Sequence, residues 1–193
     1  AGGTNPHTVV EAVVDDMAFL VDSASMVLNR LGYTIHLTIH PVLDVSRDNN
    51  GNLIALNHRS ADARHESFLC FQISREPRGE RLDTIIYELT RVLSEVSAAN
   101  TDGMAMGELA LSLAHNLDSA HMPGDDETRS EAVALCRWIA QENFTFLGAV
   151  RYGKSSDNDD LLSPKATSAL GILRPRDGLD LIERLSVCLL YTS

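Results

Sequence analysis

Aromatic residues are scarce, at 5% of the chain, so any core must be built from Leu, Ile, Val, Met and Ala. Basic residues are scarce too. The 16 Lys and Arg face 27 Asp and Glu, which leaves a formal net charge of −11. A nucleic-acid binder needs a cationic stripe to neutralise phosphates, and no Lys/Arg cluster occurs here. The same deficit argues against anionic membrane surfaces. No apolar run reaches the roughly 18 residues of a membrane-spanning helix. Cysteine is limited to Cys70, Cys136 and Cys188, far apart and without a C-x-x-C pair. That usage points to free thiols in a reducing compartment, and a cytoplasmic location is expected.

Chemical signatures are missing as well. No G-x-G-x-x-G follows a strand, which excludes the usual dinucleotide fingerprint, and there is no G-x-x-x-x-G-K-[ST] or G-x-S-x-G. His36 and His40 share one face of a strand, which sets them about 13 Å apart, too far for one zinc ion. Asp48 to Asn52 imitates half a calcium loop, but Ser46 and Asn57 stand where its carboxylates belong. Asp157, Asp159 and Asp160 read as a solvated loop, and the sequon at Asn143 as accidental. No catalytic, cofactor-binding or metal-ligating residue is therefore expected. A small metal hydrolase has only the counts of His and Asp in its favour.

What is present is the pattern of a folded α+β chain. Hydrophobic residues are 44% of 193, enough for one ordinary domain or two small ones. Val9 to Val14 reads as a strand. Phe19 to Leu31 reads as a helix stopped by Gly32. Tyr33, Ile35, Leu37 and Ile39 then alternate with Thr34, His36, Thr38 and His40, predicting a strand with one buried and one polar face. Pro41 predicts an edge position or a bend. Asp48-Asn49-Asn50-Gly51 is a hairpin turn leading to a strand over residues 53–56. Residues 57–65 read as a loop. In the next strand, over 68–74, Leu69, Phe71 and Ile73 share a face.

Leu82, Ile85, Ile86, Leu89, Leu93 and Val96 fall at helical spacing. A break is expected over residues 99–103, then a second helix through Met106, Leu109, Leu113 and Leu117. Pro123 to Asp126 marks a boundary, with an Asp placed to cap a helix over residues 127–142. Strands are expected over 144–152 and 169–173, and a helix over 179–185. The order up to residue 98 is βαββα, most of a ferredoxin-like (ACT-like) sandwich with its fourth strand missing.

Asp15 and Asp16 stand at the first strand-to-helix junction. They could cap the helix and favour its dipole, or help bind a small effector.

Five ordered stretches resemble one family. Asp15-Asp16-Met17-Ala18-Phe19-Leu20-Val21-Asp22-Ser23 is similar to the "DDMPFLVDS" segment of the large bacterial NAD-specific glutamate dehydrogenases, with Ala18 in place of Pro. Residues 34–43 resemble the strand that follows in that family, and Glu66-Ser67-Phe68 the start of the next. Asn143 to Gly148 with Tyr152 resembles "NFTFLGxxxY", and Leu170 to Arg174 resembles "GLGxLR". The matches run from about residue 11 to about 176.

The resemblance implies an amino-terminal, non-catalytic regulatory or assembly region of an enzyme that oxidises L-glutamate with NAD. The NAD would serve the parent enzyme and not this region. It implies a homo-oligomer and a small amino-acid effector, with Asp15, Asp16 and Asp22 as candidate contacts. The expected division is an ACT-like domain (1–98), a helical segment (99–142) and the start of a second α/β unit (143–185). Residues 186–193 read as a non-native tail. That tail, and a start without Met, are what a fragment would show. The alternative is a free-standing ACT-like sensing or interaction module without catalysis.

Overall fold

The computed structural model describes residues 6–56, 63–77, 79–119, 125–154 and 162–174. The expected strand over 144–152 is only partly met, and the helix over 179–185 and the tail lie outside the described residues. Two compact units divide at residue 96/97.

The first unit is an antiparallel sheet with helices on one face. Its elements are β1 (His7–Asp15), α1 (Leu20–Arg30), β2 (Ile35–Ile39), β3 (Val42–Arg47), β4 (Leu53–Leu56), β5 (Arg64–Ser74) and the start of α2 (Glu80–Ser119). β5 is central. β1 pairs along one side of it from residue 7 to 15, while β2 and β3 share the other side end to end. They divide where Pro41, which has no N–H to donate, interrupts the ladder. β4 returns against β3 after the turn at Gly51, whose φ of 83° suits a residue without a Cβ.

Period-two alternation places Leu69, Phe71 and Ile73 of β5 under the helices, all at most 2% exposed. α1 covers them with Leu20, Ala24, Val27 and Leu28, the i, i+4, i+7, i+8 stripe of an amphipathic helix, and α2 adds Ile85, Leu89 and Val96. Each fully buried Leu, Ile or Phe contributes roughly 1.5–3 kcal/mol. Beside this core the Tyr33 hydroxyl donates to Glu76 at 2.8 Å, and burial, then Glu76, raises the Tyr33 pKa.

The alternation of β2 is corrected by a bulge. Ile35 lies opposite Ile73, but the register shifts before Leu37, which lies opposite Gln72, and Ile39 lies opposite Cys70. The extra residue turns the strand over. Only Tyr33 and Ile35 of the apolar stripe pack against the core, while Leu37 and Ile39 are 43% and 46% exposed on the other face.

The expected break at 99–103 is also corrected: α2 runs unbroken for 40 residues. Asn100, Thr101, Asp102 and Gly103 are poor helix formers individually. The second unit holds that turn through Asp102. Its buried carboxylate accepts the Gly171 N–H at 2.7 Å and the Arg174 Nε–H at 2.5 Å, and its other oxygen accepts a second guanidinium hydrogen bond.

α3 (Asp126–Trp138) begins at Asp125, whose side chain accepts the Thr128 N–H at 2.6 Å, as the capping expectation required. It ends in a wide turn over Ile139–Asn143, with Glu142 at φ 59°. The expected strand over 144–152 reduces to β6 (Gly148–Ala149) and the start of β7 (Tyr152–Lys154). β7 pairs with β8 (Leu162–Pro164), and β6 with β9 (Leu170–Gly171). The backbones at Gly148 and Gly171 pass so close that a Cβ on Gly171 would lie 2.2 Å from the Leu147 carbonyl. Two of the family-like stretches therefore meet at paired glycines.

Candidate functional site

The β1–α1 junction separates the two carboxylates that adjoin in sequence. Asp15 ends β1 opposite Glu66, exposed on the face away from the helices. Asp16 continues the ladder, its N–H donating to the His65 carbonyl at 2.9 Å, and its side chain falls on the helix side. There Ser67, fully buried, donates its hydroxyl to the Asp16 carboxylate at 2.6 Å. The His40 Nε2 lies 2.9 Å from the same Ser67 oxygen. Since the single Ser67 hydrogen is committed to Asp16, Nε2 must be the donor, which fixes the imidazole tautomer. The result is a short polar relay, His40 to Ser67 to Asp16, linking three segments of the sheet.

Neither carboxylate caps α1. The residue before the helix is Phe19, at φ 72° and ψ 7°, and it makes no side-chain cap hydrogen bond. A left-handed conformation costs a bulky residue roughly 1–2 kcal/mol, and such strain gathers at functional positions. An uncapped helix start presents free N–H groups and the positive end of the dipole, which suits a carboxylate ligand. Asp22 lies exposed in that first turn. Of the three candidate aspartates, Asp16 is thus built into the relay, Asp22 flanks the helix start, and Asp15 faces the other way.

Ser67 was missed by sequence reasoning, although its parity with Leu69, Phe71 and Ile73 places it on the buried face. A hydroxyl in that row needs a polar partner. Among the described residues no group of three or more His, Cys, Asp or Glu converges as a metal site. Cys70 is buried and Cys136 half-buried, both as free thiols.

The face away from the helices carries a second feature. Arg47 grips the buried Glu66 with two hydrogen bonds, Nε at 2.6 Å and Nη2 at 2.7 Å, and donates to the Gly51 carbonyl at 2.9 Å. Arg47 holds the Glu66 carboxyl below the ordinary carboxylate range. Around this pair Val13, Leu43, Val45, Leu53, Leu56 and Phe68 line a half-open apolar hollow of about 140 Å³.

This sheet and helix pair coincides with a known domain. Residues 1–89 match the glutamate dehydrogenase ACT1 domain. They belong to that family. Beyond the ACT1 domain, similarity continues along most of the chain. An NAD-specific glutamate dehydrogenase of Halomonas elongata is 32% identical over 178 residues, which is 90% of this chain and 11% of that protein. Its counterpart in Pseudomonas aeruginosa is 31% identical over 82% of this chain and 10% of the relative. That of Mycobacterium tuberculosis is 27% identical over 88% of this chain and 10% of the relative. The chain spans about a tenth of the length of these relatives. The α+β ACT-like expectation is met by the ACT1 domain. Among the described residues no helix is long and apolar enough to cross a membrane.

Proposed function

We propose that this chain is the amino-terminal regulatory and assembly region of a cytoplasmic NAD-dependent glutamate dehydrogenase. The parent would oxidatively deaminate L-glutamate to 2-oxoglutarate and ammonia, passing hydride to NAD at a site outside this region. The observation that carries the reading is the ACT1 match over residues 1–89, continued by similarity to NAD-specific glutamate dehydrogenases over most of the chain.

Within that region the β1–α1 junction is the effector site. An amino-acid carboxylate would meet the uncapped amides of α1, with its ammonium near Asp22. Asp16 would stay with Ser67 and His40, holding the loop in register. Binding there would shift an assembly equilibrium only through different affinities for its two states. The region acts in a homo-oligomer.

Two measurements test this. The chain alone should give no glutamate-dependent NAD reduction, and measurable turnover would end the regulatory assignment. Titration with a panel of amino acids, followed by amide NMR, should move the resonances of residues 16–24 first. A panel that leaves them still would end the effector reading. A native reading frame that encodes no dehydrogenase region would instead favour a free-standing sensing module.

A further inference from the structure

The first unit covers only one face of its sheet with helices. α1 and α2 pack on the odd-numbered side of β5, over Leu69, Phe71 and Ile73. The even-numbered side of β5, with the residues that lie opposite it, forms the other face. On that face Val9, Val13, Leu37, Ile39, Leu53 and Leu56 are each 42–53% exposed. Contiguous apolar surface of this kind marks an interaction site. Its charge is uneven. Arg47 answers Glu66, and the exposed Arg64 starts β5 opposite Val45. Glu11 and Asp15 stand exposed along β1 and form no ion pair among the described residues.

We propose that this face docks an amphipathic helix of a partner protein, its apolar stripe on the sheet and Lys or Arg along the flank over β1. The inference stands apart from the effector and assembly readings above. A helix fits because its backbone hydrogen bonds are internal. An extended segment laid across a face, away from any strand edge, would bury unpaired amides. The strands β1, β5, β3 and β4 lie side by side and span about 14 Å, room for one helix about 10–12 Å across. The hollow among Val13, Leu43 and Phe68 takes one large apolar side chain of the stripe. Glu11 and Asp15 are four strand residues apart, about 13 Å. Cations at helix positions i and i+7 share one flank about 10.5 Å apart, and their flexible stems close the difference.

The test uses the 193-residue chain and synthetic helical peptides of about 18 residues. The first has a Leu stripe and a Lys flank, its twin has Glu for Lys, and a third keeps Lys but has Ser for Leu. Fluorescence anisotropy should show the first bound about tenfold tighter than its twin, and the third not bound. In amide NMR the first should shift β1, β3 and β4 and leave α1 unmoved. Glu11→Gln combined with Asp15→Asn changes two exposed side chains, so the fold should survive and the tenfold preference should fall to about twofold. Val13→Thr keeps shape and strand preference but sets a hydroxyl under the stripe, and should weaken the first peptide severalfold. No binding of the first peptide, equal binding of its twin, shifts confined to α1, or indifference to either variant would overturn the proposal. Sedimentation equilibrium covers the rival occupant: self-association that blocks the first peptide would put a second copy on this face and overturn the helix.

Discussion

Replacing Asp102 by Ala should loosen the second unit, and the size of the effect follows from its contacts. The buried carboxylate accepts one backbone N–H, from Gly171, and a two-pronged Arg174 guanidinium. A hydrogen bond to a charged group contributes about 1.5–3 kcal/mol. The Arg174 side chain is 54% exposed, so it would re-solvate, and its share falls toward the ~1 kcal/mol of a surface pair. The Gly171 amide has no such escape. Against these losses, Ala favours the helix by about 0.5 kcal/mol. The net loss is about 2 kcal/mol, or roughly a thirtyfold fall in protection where the unit opens as a whole. Amide hydrogen exchange at Gly171 reads this directly.

The pH dependence has a definite sign. Arg174, then the Gly171 amide, depress the folded pKa of Asp102, partly opposed by burial. A depressed carboxyl stabilises the fold above its unfolded value of about 3.9, and that contribution is lost as pH falls through the folded value. Wild type and Asp102→Ala should differ at neutral pH and converge in acid. Equal protection of Gly171 in both proteins at neutral pH would refute the reasoning.

The remaining expectations concern single side chains. Leu69→Ala, at a fully buried position on β5, should cost about 2–5 kcal/mol in urea unfolding of the first unit. Ser67→Ala removes the hydrogen bonds to Asp16 and His40, both exposed enough to re-solvate, and should cost about 0.5–1.5 kcal/mol, with larger chemical-shift changes at the β1–α1 junction than at the far end of the sheet. Gly171→Ala forces a Cβ into a left-handed backbone at φ 61° and against the Leu147 carbonyl. It should cost at least about 2 kcal/mol, lower the melting temperature and abolish the β6–β9 pairing.

The residues that carried the sequence reading are those whose environment is set by near neighbours in the chain. Leu69, Phe71 and Ile73 alternate because a strand has period two, and Leu20, Ala24, Val27 and Leu28 stripe one side because a helix has period 3.6. Asn50-Gly51 turns the chain for a local conformational reason, and Asp125 caps α3 through an amide three residues away. The α+β class follows from these local rules, but the expected order βαββα does not hold: four strands, β2 to β5, separate α1 from α2.

Other features depend on groups distant in sequence, and no local pattern announces them. A bulge at His36 moved Leu37 and Ile39 to the opposite face, because register is decided by the partner strand. Asp16 left its helix-capping role for Ser67, 51 residues away. Asp102 sustained a helix through a stretch of weak helix formers because a guanidinium 72 residues away reaches it. Local spacing determined which elements form; the tertiary structure decided which faces they present, since a long-range hydrogen bond or ion pair outweighs the few tenths of a kcal/mol that separate local preferences.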